Sequence, residues 1–457
     1  MLKKVGVISL GCPKNLVDTE NLLGRFVQAG YVSTPTPEEA DLLVVNTCGF
    51  IAEAEAESRQ AIAEMAALKV TYPGKKLLVT GCLAQRYGAS LVEDFPSIDL
   101  LTGTDQGAQV IPWLQEGEGT GFKSVQNRVV RIEAREPVVE ESVRVITTPA
   151  HTAYVKIAEG CDNPCTFCII PQLKGAFRSR SVAHILSEVE HLVGQGVREI
   201  NLVSQDSSFY GRDLTPRTDL AALLERLSAV DGLVWLRVLY LYPSLVTDRL
   251  LQVMASNSKI IPYLDVPFQH SHPEVLKRMQ RYSPASAPER VVQRIRERVP
   301  QAVLRSAFIV GFPGESKAEF KHLLKFISRV EFDRLGVFLY SDEASAASYL
   351  LPDKVPRKVA KERRDRLMKR QQKISRRKLR ALVGSQVEVL VDGPSQESEW
   401  LMVGRLAGQA PEVDGVVYFN RGDWQPGERV QVAISEAHEY DLVGTVLVTV
   451  HRSKSLR

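Results

Sequence analysis

The sequence predicts an α/β protein built from three folded parts. We expect an amino-terminal α/β domain with a parallel sheet, a central partial (β/α)6 barrel of the TIM type, and a small antiparallel β-barrel at the carboxy terminus. Short apolar runs alternate with helical stretches over the first 120 residues, and the same rhythm returns between residues 150 and 350, which predicts the first two parts. Val- and Gly-rich alternating patterns from about residue 384 predict the third.

Length argues against a single domain, since 457 residues exceed what one hydrophobic core usually supports. We place the boundaries where the strand–helix rhythm stops or the charge changes. The predicted parts are residues 1–125 for the first domain, 126–150 for a polar linker, 151–350 for the barrel, 351–383 for a basic helical connector and 384–457 for the small barrel.

The predicted strands of the first domain are apolar runs at residues 5–10, 42–46 and 77–80, with helices at 15–29 and 52–68. The barrel should contain six strands. They are predicted at residues 153–158, 199–203, 235–241, 263–267, 304–310 and 335–340. In a parallel barrel the chemistry lies at the carboxyl ends of the strands, so residues that follow these runs are the candidates for function.

The composition is that of an ordinary globular chain, with 44% hydrophobic and 25% charged residues. No apolar run is long enough to span a membrane, and the run at residues 5–10 is better explained as a strand than as a signal peptide. We therefore expect a cytoplasmic protein with no membrane partner. In that compartment, six cysteines indicate metal binding or catalysis rather than disulfides.

Charge is distributed unevenly along the chain. Residues 354–380 contain fourteen Lys and Arg against two acids, a net charge of +12. Residues 384–457 contain six Lys and Arg against eleven acids, a net charge of −5. The basic segment is as consistent with a solvated helix as with a surface that contacts nucleic acid. The acidic terminal barrel favours a basic partner over RNA, because phosphate contacts require basic residues.

Three cysteines form a tight group, since Cys161, Cys165 and Cys168 follow a predicted strand with the spacing CxxxCxxC. Three thiolates on one loop can bind three corners of a 4Fe–4S cluster and leave one iron without a protein ligand. Such an open iron can bind a substrate and pass it an electron. The spacing alone does not choose the metal, and a zinc site completed by His151 or His184 is the alternative.

The other three cysteines are dispersed but share a context. Cys12, Cys48 and Cys82 each follow a predicted strand, and in a parallel sheet all three strand ends lie along one edge. A glycine adjoins each cysteine, which we interpret as room for a bulky group. This context indicates a second cluster with an open iron. Three ordinary buried cysteines are the alternative.

The central cysteine loop, with Phe167 before its last cysteine, resembles the signature of the radical S-adenosylmethionine superfamily. The turn Ile309-Val-Gly-Phe-Pro-Gly-Glu315 is similar to the late-strand motif that lies beside the adenine in that superfamily. The resemblance implies that the open iron binds S-adenosylmethionine. Reduction would then cleave the cofactor to methionine and a 5′-deoxyadenosyl radical.

Two cysteine groups and a terminal barrel together resemble the methylthiotransferase family over essentially the whole chain. That family combines a three-cysteine domain, a radical S-adenosylmethionine barrel and a TRAM barrel. The resemblance implies two 4Fe–4S clusters and S-adenosylmethionine as cofactors, with one cluster supplying sulfur and the other the radical. A reducing protein such as flavodoxin or ferredoxin is the implied electron donor, and the sulfur donor is left unknown.

The family has two branches, which modify either an adenosine in tRNA or the β-carbon of an aspartate in small-subunit ribosomal protein S-twelve. The segment Ser9-Leu-Gly-Cys-Pro-Lys-Asn-Leu-Val-Asp18 resembles the second branch, as do residues 177–180, 204–206 and 265–270. With the acidic terminal barrel, these residues favour the ribosomal protein as substrate. The alternatives are a tRNA-modifying enzyme and a non-catalytic iron–sulfur electron carrier or ribosome-binding factor.

Further residues beside the cysteine loop or at strand ends are candidates for holding the cofactor. A guanidinium among them could pair with a carboxylate of the cofactor or substrate. For each residue, a structural ion pair or a barrel hydrogen bond is an equally good explanation. The candidates are Phe167, Arg180, Gln205, Asp206, Gln269, Arg305, Gly311, Pro313 and Gly314.

Two clusters per chain correspond to about eight irons. Replacing Cys12 with Ala should remove only the second cluster and lower the iron content of anaerobically reconstituted protein to about four per chain. Iron and sulfide analysis measures this directly, with Cys165→Ala as the reciprocal variant. A wild-type content near four irons that Cys12→Ala leaves unchanged would contradict the second cluster.

Overall fold

The computed structural model describes residues 2–120, 129–132 and 144–449. Within these ranges it contains the three predicted architectures in the predicted order. No helix in the described part of the chain is long and apolar enough to cross a membrane. Most of the predicted linker and the end of the predicted terminal barrel lie outside the described residues.

The amino-terminal domain is an α/β unit with one parallel sheet. Its strands are β1 Lys4–Ser9, β2 Val32–Ser33, β3 Leu42–Thr47, β4 Lys76–Gly81, β5 Leu100–Thr102 and β6 Val129–Arg131. Its helices are α1 Pro13–Gln28, α2 Ala52–Thr71, α3 Cys82–Tyr87, α4 Ala89–Asp94 and α5 Gly107–Thr120. The strand order is β2-β1-β3-β4-β5-β6, and every neighbouring pair is parallel. β1, β3 and β4 confirm the three predicted strands.

The fully buried strand β3 shows how the sheet is covered. Leu43 and Val45 join one core with α2 and α3, whereas Leu42 and Val44 join a second core with α1 and α5. Because successive side chains of a strand point to opposite faces, this alternation buries both sides of the sheet. The carboxyl ends of the strands are left as the edge where side chains can meet a ligand.

The central part is an incomplete parallel barrel. Its strands are β7 Thr152–Lys156, β8 Ala158–Glu159, β9 Arg178–Ser179, β10 Glu199–Val203, β11 Trp235–Val238, β12 Tyr263–Asp265, β13 Val303–Val310 and β14 Arg334–Leu339. Its helices are α6 Ile170–Lys174, α7 Val182–Gly194, α8 Leu220–Ser228, α9 Asp248–Ser256, α10 Pro273–Arg278, α11 Pro288–Arg298 and α12 Lys317–Val330.

Six of these strands form the barrel wall and confirm the predicted partial (β/α)6 architecture. β7, β10 and β11 form one parallel sheet, β12, β13 and β14 form another, and a bridge from Leu236 to Ile260 joins the two. The short strands β8 and β9 pair antiparallel on either side of the central cysteine loop. Short 3-10 helices lie at Pro37–Glu39, Ser207–Phe209, Pro243–Leu245, Pro284–Ser286 and Ala347–Leu350.

The basic segment forms helix α13, Arg357–Arg380, which packs against α12 and β14. Part of its charge ties the helix to the rest of the protein. These ion pairs are Arg357–Glu53, Arg363–Glu315, Arg376–Glu439, Arg377–Glu331 and Lys378–Asp333. The remaining exposed cations have no carboxylate within 4.0 Å among the described residues; they are Lys358, Lys361, Arg366, Lys369, Arg370, Lys373 and Arg380.

The carboxy-terminal module is a closed five-stranded barrel. Its strands are β15 Gln386–Pro394, β16 Leu401–Arg405, β17 Val417–Asn420, β18 Arg429–Ala437 and β19 Leu442–Thr449, in the order β15-β16-β17-β19-β18. The prediction of an antiparallel barrel needs one correction, because β17 and β19 pair parallel. Strand directions cannot alternate all the way round a ring with an odd number of strands, so a closed five-stranded barrel must contain a parallel neighbour pair.

The loop between β16 and β17 closes the amino-terminal end of the central barrel. Arg237, fully buried inside that barrel, donates hydrogen bonds to the carbonyls of Ala407 at 2.8 Å and Gln409 at 3.2 Å. The buried Tyr263 hydroxyl donates to Asp414 at 2.7 Å. The small barrel is therefore docked by buried polar contacts and is not a loosely tethered module.

A buried carboxylate, Glu199, reinforces this docking. It lies 3.1 Å from Arg237 and 2.7 Å from Arg405, so one acid joins a cation of the central barrel to a cation of the small barrel. Burial alone would raise the pKa of Glu199, but the two guanidinium groups lower it to about 2. The carboxylate is therefore charged at neutral pH, as the ion pairs require.

Replacing Asp414 with Ala should destabilise the protein by about 1–3 kcal/mol, because it leaves the buried Tyr263 hydroxyl without its acceptor. The expected result is a clearly lowered Tm in differential scanning calorimetry. Asp423→Ala is the matched control, since Asp423 is exposed on the same small barrel and should change stability by less than about 0.5 kcal/mol. Equal Tm values for the two variants would contradict the docking role of Asp414.

Candidate active site

The central cysteines occupy the loop between β8 and α6, at the carboxyl end of the first barrel strands. Each of the three sulfurs accepts one N–H hydrogen bond. The donors are Asn163 Nδ2 to Cys161 at 3.3 Å, Arg281 Nη1 to Cys165 at 3.1 Å, and the backbone N–H of Ile170 to Cys168 at 3.4 Å. Hydrogen bonds of this kind stabilise thiolate over thiol.

Burial acts in the opposite direction on these thiols. It raises the pKa of Cys161, and it raises the pKa of Cys168 to about 12. A free thiol at either position would therefore be protonated at neutral pH, and a bound metal must replace the proton. Three thiols with prepared N–H donors on one loop fit a 4Fe–4S cluster that has three protein ligands.

The histidines required by the zinc alternative are engaged elsewhere. His151 Nε2 lies 2.8 Å from Asp392, and His184 Nδ1 lies 2.7 Å from the Ser181 hydroxyl. Among the described residues, no set of three or more His, Cys, Asp or Glu side chains is arranged to hold a single metal ion. The fit to a cluster therefore depends on the donor chemistry of the thiols.

The amino-terminal cysteines all lie at carboxyl ends of strands of the first sheet. Cys12 is the N-cap of α1, Cys48 follows β3, and Cys82 is the first residue of α3 directly after β4. Burial raises the pKa of Cys48 and raises that of Cys82 to about 12, the nearby Lys174 charge opposing the second shift. The parallel sheet therefore brings together three thiols that are far apart in sequence.

The glycines beside these cysteines do not leave open room, contrary to the sequence-based expectation. A Cβ on Gly11 would lie 2.8 Å from Cys48 Cβ, and one on Gly49 would lie 2.8 Å from Leu83 Cα. One on Gly81 would lie 2.5 Å from the Thr47 carbonyl. The space is filled by the neighbouring loop, so the glycines allow the three cysteine loops to approach one another.

The two cysteine groups meet at one interface between the first domain and the barrel. Cys82 packs against the apolar cluster of Ile169 and Leu173, in the segment that follows Cys168. The Thr104 hydroxyl donates to the Leu173 carbonyl at 3.0 Å, and Arg86 pairs with Glu343 at 2.7 Å. Carboxyl ends of strands from both sheets therefore face each other.

A cluster of buried charges holds this interface together. Lys156 at the end of β7 binds Asp18 of α1 and lies 2.5 Å from Glu159. Lys174 lies 3.2 Å from Asp18, 3.5 Å from Glu159 and 3.8 Å from Asp105. Burial alone would raise the pKa of Glu159, but the two lysines hold it well below its usual range. These five residues, hereafter the interface charge cluster, join the two domains.

A cavity of about 480 Å³ lies beside the interface charge cluster, a volume typical of sites for small molecules. α1 and the loop after β5 contribute one wall, and the barrel with α7 contributes the other. Polar and charged side chains from both domains line it; they include Asn15, Asp18, Lys156, Glu159, Lys174 and Arg180. The cavity exists only because the two domains are docked.

Two predicted residues at the end of β10 contact the interface charge cluster or the cysteine loop. Gln205 donates to Glu159 at 2.5 Å and so joins the interface charge cluster. Asp206 accepts from Asn163 Nδ2 at 2.8 Å, and the same amide group donates to Cys161. Asp206 therefore orients the group that contacts the cysteine sulfur, and its direct contact with a cofactor stays a prediction.

Both predicted arginines already have partners within the protein. Arg180 pairs with Glu188 at 2.6 Å and donates to the Lys156 carbonyl at 2.7 Å. Arg305 lies 3.3 Å from the buried Asp265. Their predicted pairing with a cofactor or substrate carboxylate therefore competes with these ion pairs, and it stays a prediction.

In the predicted turn after β13, the first glycine allows a helix to pack closely against the turn. Gly311 has φ +81°, and a Cβ there would lie 2.6 Å from the Ala360 Cβ of α13, so the space is filled by a helix. Gly314 has φ +74° and faces the Arg278 side chain. Phe167 packs against Phe312 in this turn, which also contains Pro313. These contacts tie the central cysteine loop to the end of β13.

Gln269 has an unusual backbone, with φ +68°, and forms a bridge with Phe308 on β13. Its neighbour His270 is fully buried, and its Nδ1 accepts the backbone N–H of His272 at 3.0 Å. His270 therefore caps the next turn. Gln269 as a cofactor ligand stays a prediction.

Sequence reasoning missed the residues that surround the cysteines. Arg281, Lys156 and Lys174 lie on three segments outside the CxxxCxxC spacing, whereas Asn163 lies within the cysteine loop itself, and the spacing gave it no role. The one available signal was the position of Lys156 near the end of a predicted strand, where a charged side chain must find a partner or reach solvent.

Three family models match the chain in the order of its folded parts. An uncharacterized protein family, UPF0004, matches residues 4–103, the radical SAM superfamily matches 155–327, and the TRAM domain matches 383–447.

The fold of the chain is also similar, over most of its length, to those of solved radical S-adenosylmethionine enzymes. The methyltransferase TsrM from Kitasatospora setae aligns with TM-score 0.54 and 16% identity over 74% of this chain and 75% of that one. The cobalamin-dependent enzyme OxsB aligns with TM-score 0.54 and 12% identity over 80% of this chain and 56% of that one. At such identities the likeness supports the fold alone.

Curated relatives are much more similar. Proteins named ribosomal protein uS12 methylthiotransferase RimO include one from Sorangium cellulosum, 45% identical over 97% of this chain and 91% of that protein. Another, from Geobacter sulfurreducens, is 43% identical over 97% of this chain and 99% of that protein. A third, from Solibacter usitatus, is 45% identical over 97% of this chain and 95% of that protein.

Fold and site together define a radical S-adenosylmethionine enzyme with a second three-cysteine site and a TRAM barrel. Identities above 40% over nearly the full length narrow this class further. The chain belongs to the RimO family of ribosomal protein uS12 methylthiotransferases.

Removing the guanidinium that contacts Cys165 should lower the reduction potential of the central cluster. Arg281→Met deletes a buried positive charge and one N–H donor, both of which favour the more negative reduced state. We expect a decrease on the order of tens of millivolts for one electron. A redox titration followed by electron paramagnetic resonance measures it, with the exposed Arg290→Met as control. An unchanged or raised potential would contradict this role.

Proposed function

We propose that this enzyme adds a methylthio group to the β-carbon of an aspartate in ribosomal protein uS12. The carrying observation is that Cys82 of the first domain packs against the segment following Cys168 of the barrel, so two three-thiol sites share one interface. When bound, the clusters and S-adenosylmethionine supply the sulfur, the methyl group and the radical chemistry. Sulfur insertion into an unactivated carbon needs the radical and the sulfur at the same place. The shared interface of the two three-thiol sites meets this need.

The protein's own residues hold the two sites in register. The interface charge cluster fixes α1, which begins directly after Cys12, to the barrel strand that precedes Cys161. Leu16 and Val17 of α1 pack against Leu239 and Val203 at the carboxyl ends of the barrel strands. These apolar contacts cover part of the barrel mouth with nonpolar side chains, and nonpolar surroundings limit side reactions of a radical with water.

A basic protein partner is supported by the surface of the small barrel. Within residues 384–449, five carboxylates are exposed, namely Glu397, Glu399, Glu412, Asp423 and Glu436. Arg421 is the one exposed Lys or Arg in that same range. Trp400 is 73% exposed between Glu397 and Arg421, and an exposed aromatic residue beside charges is typical of protein interfaces. Complementary charge steers a basic ribosomal protein toward this surface.

Two further assignments follow from this function. Reductive cleavage of S-adenosylmethionine consumes one electron. We assign the supply of this electron to a small reducing protein such as flavodoxin or ferredoxin. A ribosomal substrate places the enzyme in the cytoplasm. The sulfur donor is left open.

The tRNA alternative is disfavoured by the same surface, because a TRAM barrel that holds RNA needs exposed cations along the phosphate path. The exposed part of α13 is basic, however, and contact with ribosomal RNA beside the protein substrate is compatible with the proposal. A non-catalytic electron carrier would have no use for two sites that leave an iron open.

Mass spectrometry distinguishes these functions. Ribosomal protein uS12 from cells that lack this enzyme should lose a methylthio group on one aspartate, and wild-type enzyme should restore it. Cells that carry Cys165→Ala should resemble the deletion, because the central cluster cannot form. Loss of methylthioadenosine from tRNA with an unchanged uS12 would contradict the proposal and support the tRNA branch.

A further inference from the structure

Lys14 is an unpaired cation at the junction of the two sites. It is the second residue of α1 and lies two positions after Cys12. Its ammonium lies 3.7 Å from the centroid of the Tyr240 ring, at the carboxyl end of β11. In the described part of the protein, no carboxylate lies within 4.0 Å of Lys14 Nζ. A cation held only against an aromatic face remains available to an anion.

Most other cations around the thiols are paired with carboxylates, and Arg281 instead donates to Cys165 Sγ at 3.1 Å and to the Pro267 carbonyl at 2.8 Å. Lys156 and Lys174 are paired within the interface charge cluster, and Arg180, Arg305 and Arg86 are paired with Glu188, Asp265 and Glu343. Glu159 and Asp265 also face Lys14, but each is closer to another cation. Among the described residues of this interface, Lys14 is therefore a lysine with no carboxylate within 4.0 Å of its ammonium and with an aromatic ring as its contact.

The position of Tyr240 is constrained on both sides. Its backbone has φ +62°, a conformation that tyrosine rarely adopts. Its N–H donates to Asp265 at 3.2 Å, and its carbonyl accepts the N–H of Ser207 at 2.9 Å. Strained backbone of this kind occurs preferentially at functional sites, where surrounding contacts maintain it. Here it presents an aromatic face to Lys14.

We infer that Lys14 binds the side-chain carboxylate of the target aspartate and so determines that an aspartate is the substrate. The inference rests on the proposed function. In aspartate the carboxylate is one bond from the reacting β-carbon, so the group that binds it must lie next to the transferred sulfur. Lys14 meets this requirement because it lies two positions after Cys12, in the first turn of α1. An adenosine substrate has no such anion and needs no cation here.

Equilibrium binding to the reconstituted holoenzyme tests this inference. The probes are a synthetic uS12 peptide that contains the target aspartate and the same peptide with asparagine in its place. Wild-type enzyme should bind the aspartate peptide about tenfold more tightly or better, as expected for a charge-assisted hydrogen bond. Lys14→Met should bind both peptides equally, and Lys14→Arg should keep part of the preference.

Lys321→Met is the matched control, because Lys321 is an exposed, unpaired lysine on α12 and its loss should leave the preference at the wild-type level. Iron content of each variant reports whether the clusters still load. A Lys14→Met enzyme that keeps the tenfold preference, or a wild-type enzyme without one, would overturn the inference. A wild-type enzyme that does not modify uS12 at all would overturn the proposed function, and this inference with it.

Discussion

The interface charge cluster is the interaction on which the site depends. Two lysines and three carboxylates from α1, the loop after β5 and the barrel mouth meet at the domain interface, where Lys174 and Glu159 are almost completely buried. Buried ion pairs of this type add little net stability, but removal of one partner costs about 3–5 kcal/mol because the other charge is left buried. The main effect of these ion pairs is therefore to fix the position of the first domain relative to the barrel. The docking of the first domain pairs all five charges, and it brings Cys82 against the segment that follows Cys168.

The rest of the molecule closes a barrel that six strands cannot close. Eight parallel strands complete a TIM barrel, whereas six leave an open wall and an unfilled lumen. Leu16 and Val17 of α1 cover the carboxyl end, and the loop between β16 and β17 fills the amino end. The stability of the barrel therefore depends on both flanking domains, because each buries surface that the barrel alone would expose. The cysteine groups and the acidic small barrel lie at opposite ends of the same central barrel.

Much of the fold was predictable because it is encoded locally. The apolar runs at β1, β3 and β4 and at the six barrel strands have the lengths and flanking residues that are typical of buried parallel strands. The parallel pair in the small barrel and the role of Gly311 were not predictable in this way. The first follows from closing an odd number of strands, and the second from the arrival of Ala360 on a helix 49 positions further along the chain. Neither leaves a local pattern.

By itself, the sequence determined which residues can bind iron and at which strand ends they lie, because cysteine spacing and strand periodicity are local properties. It also determined the charge of each module. Only the tertiary structure decided that Cys82 packs against the segment after Cys168 and which carboxylates neutralise Lys156 and Lys174. It also decided that Lys14 contacts the Tyr240 ring and has no carboxylate within 4.0 Å among the described residues. These are pairings between distant segments. Their outcome depends on which partners packing brings within a few ångströms, and no single segment carries that information.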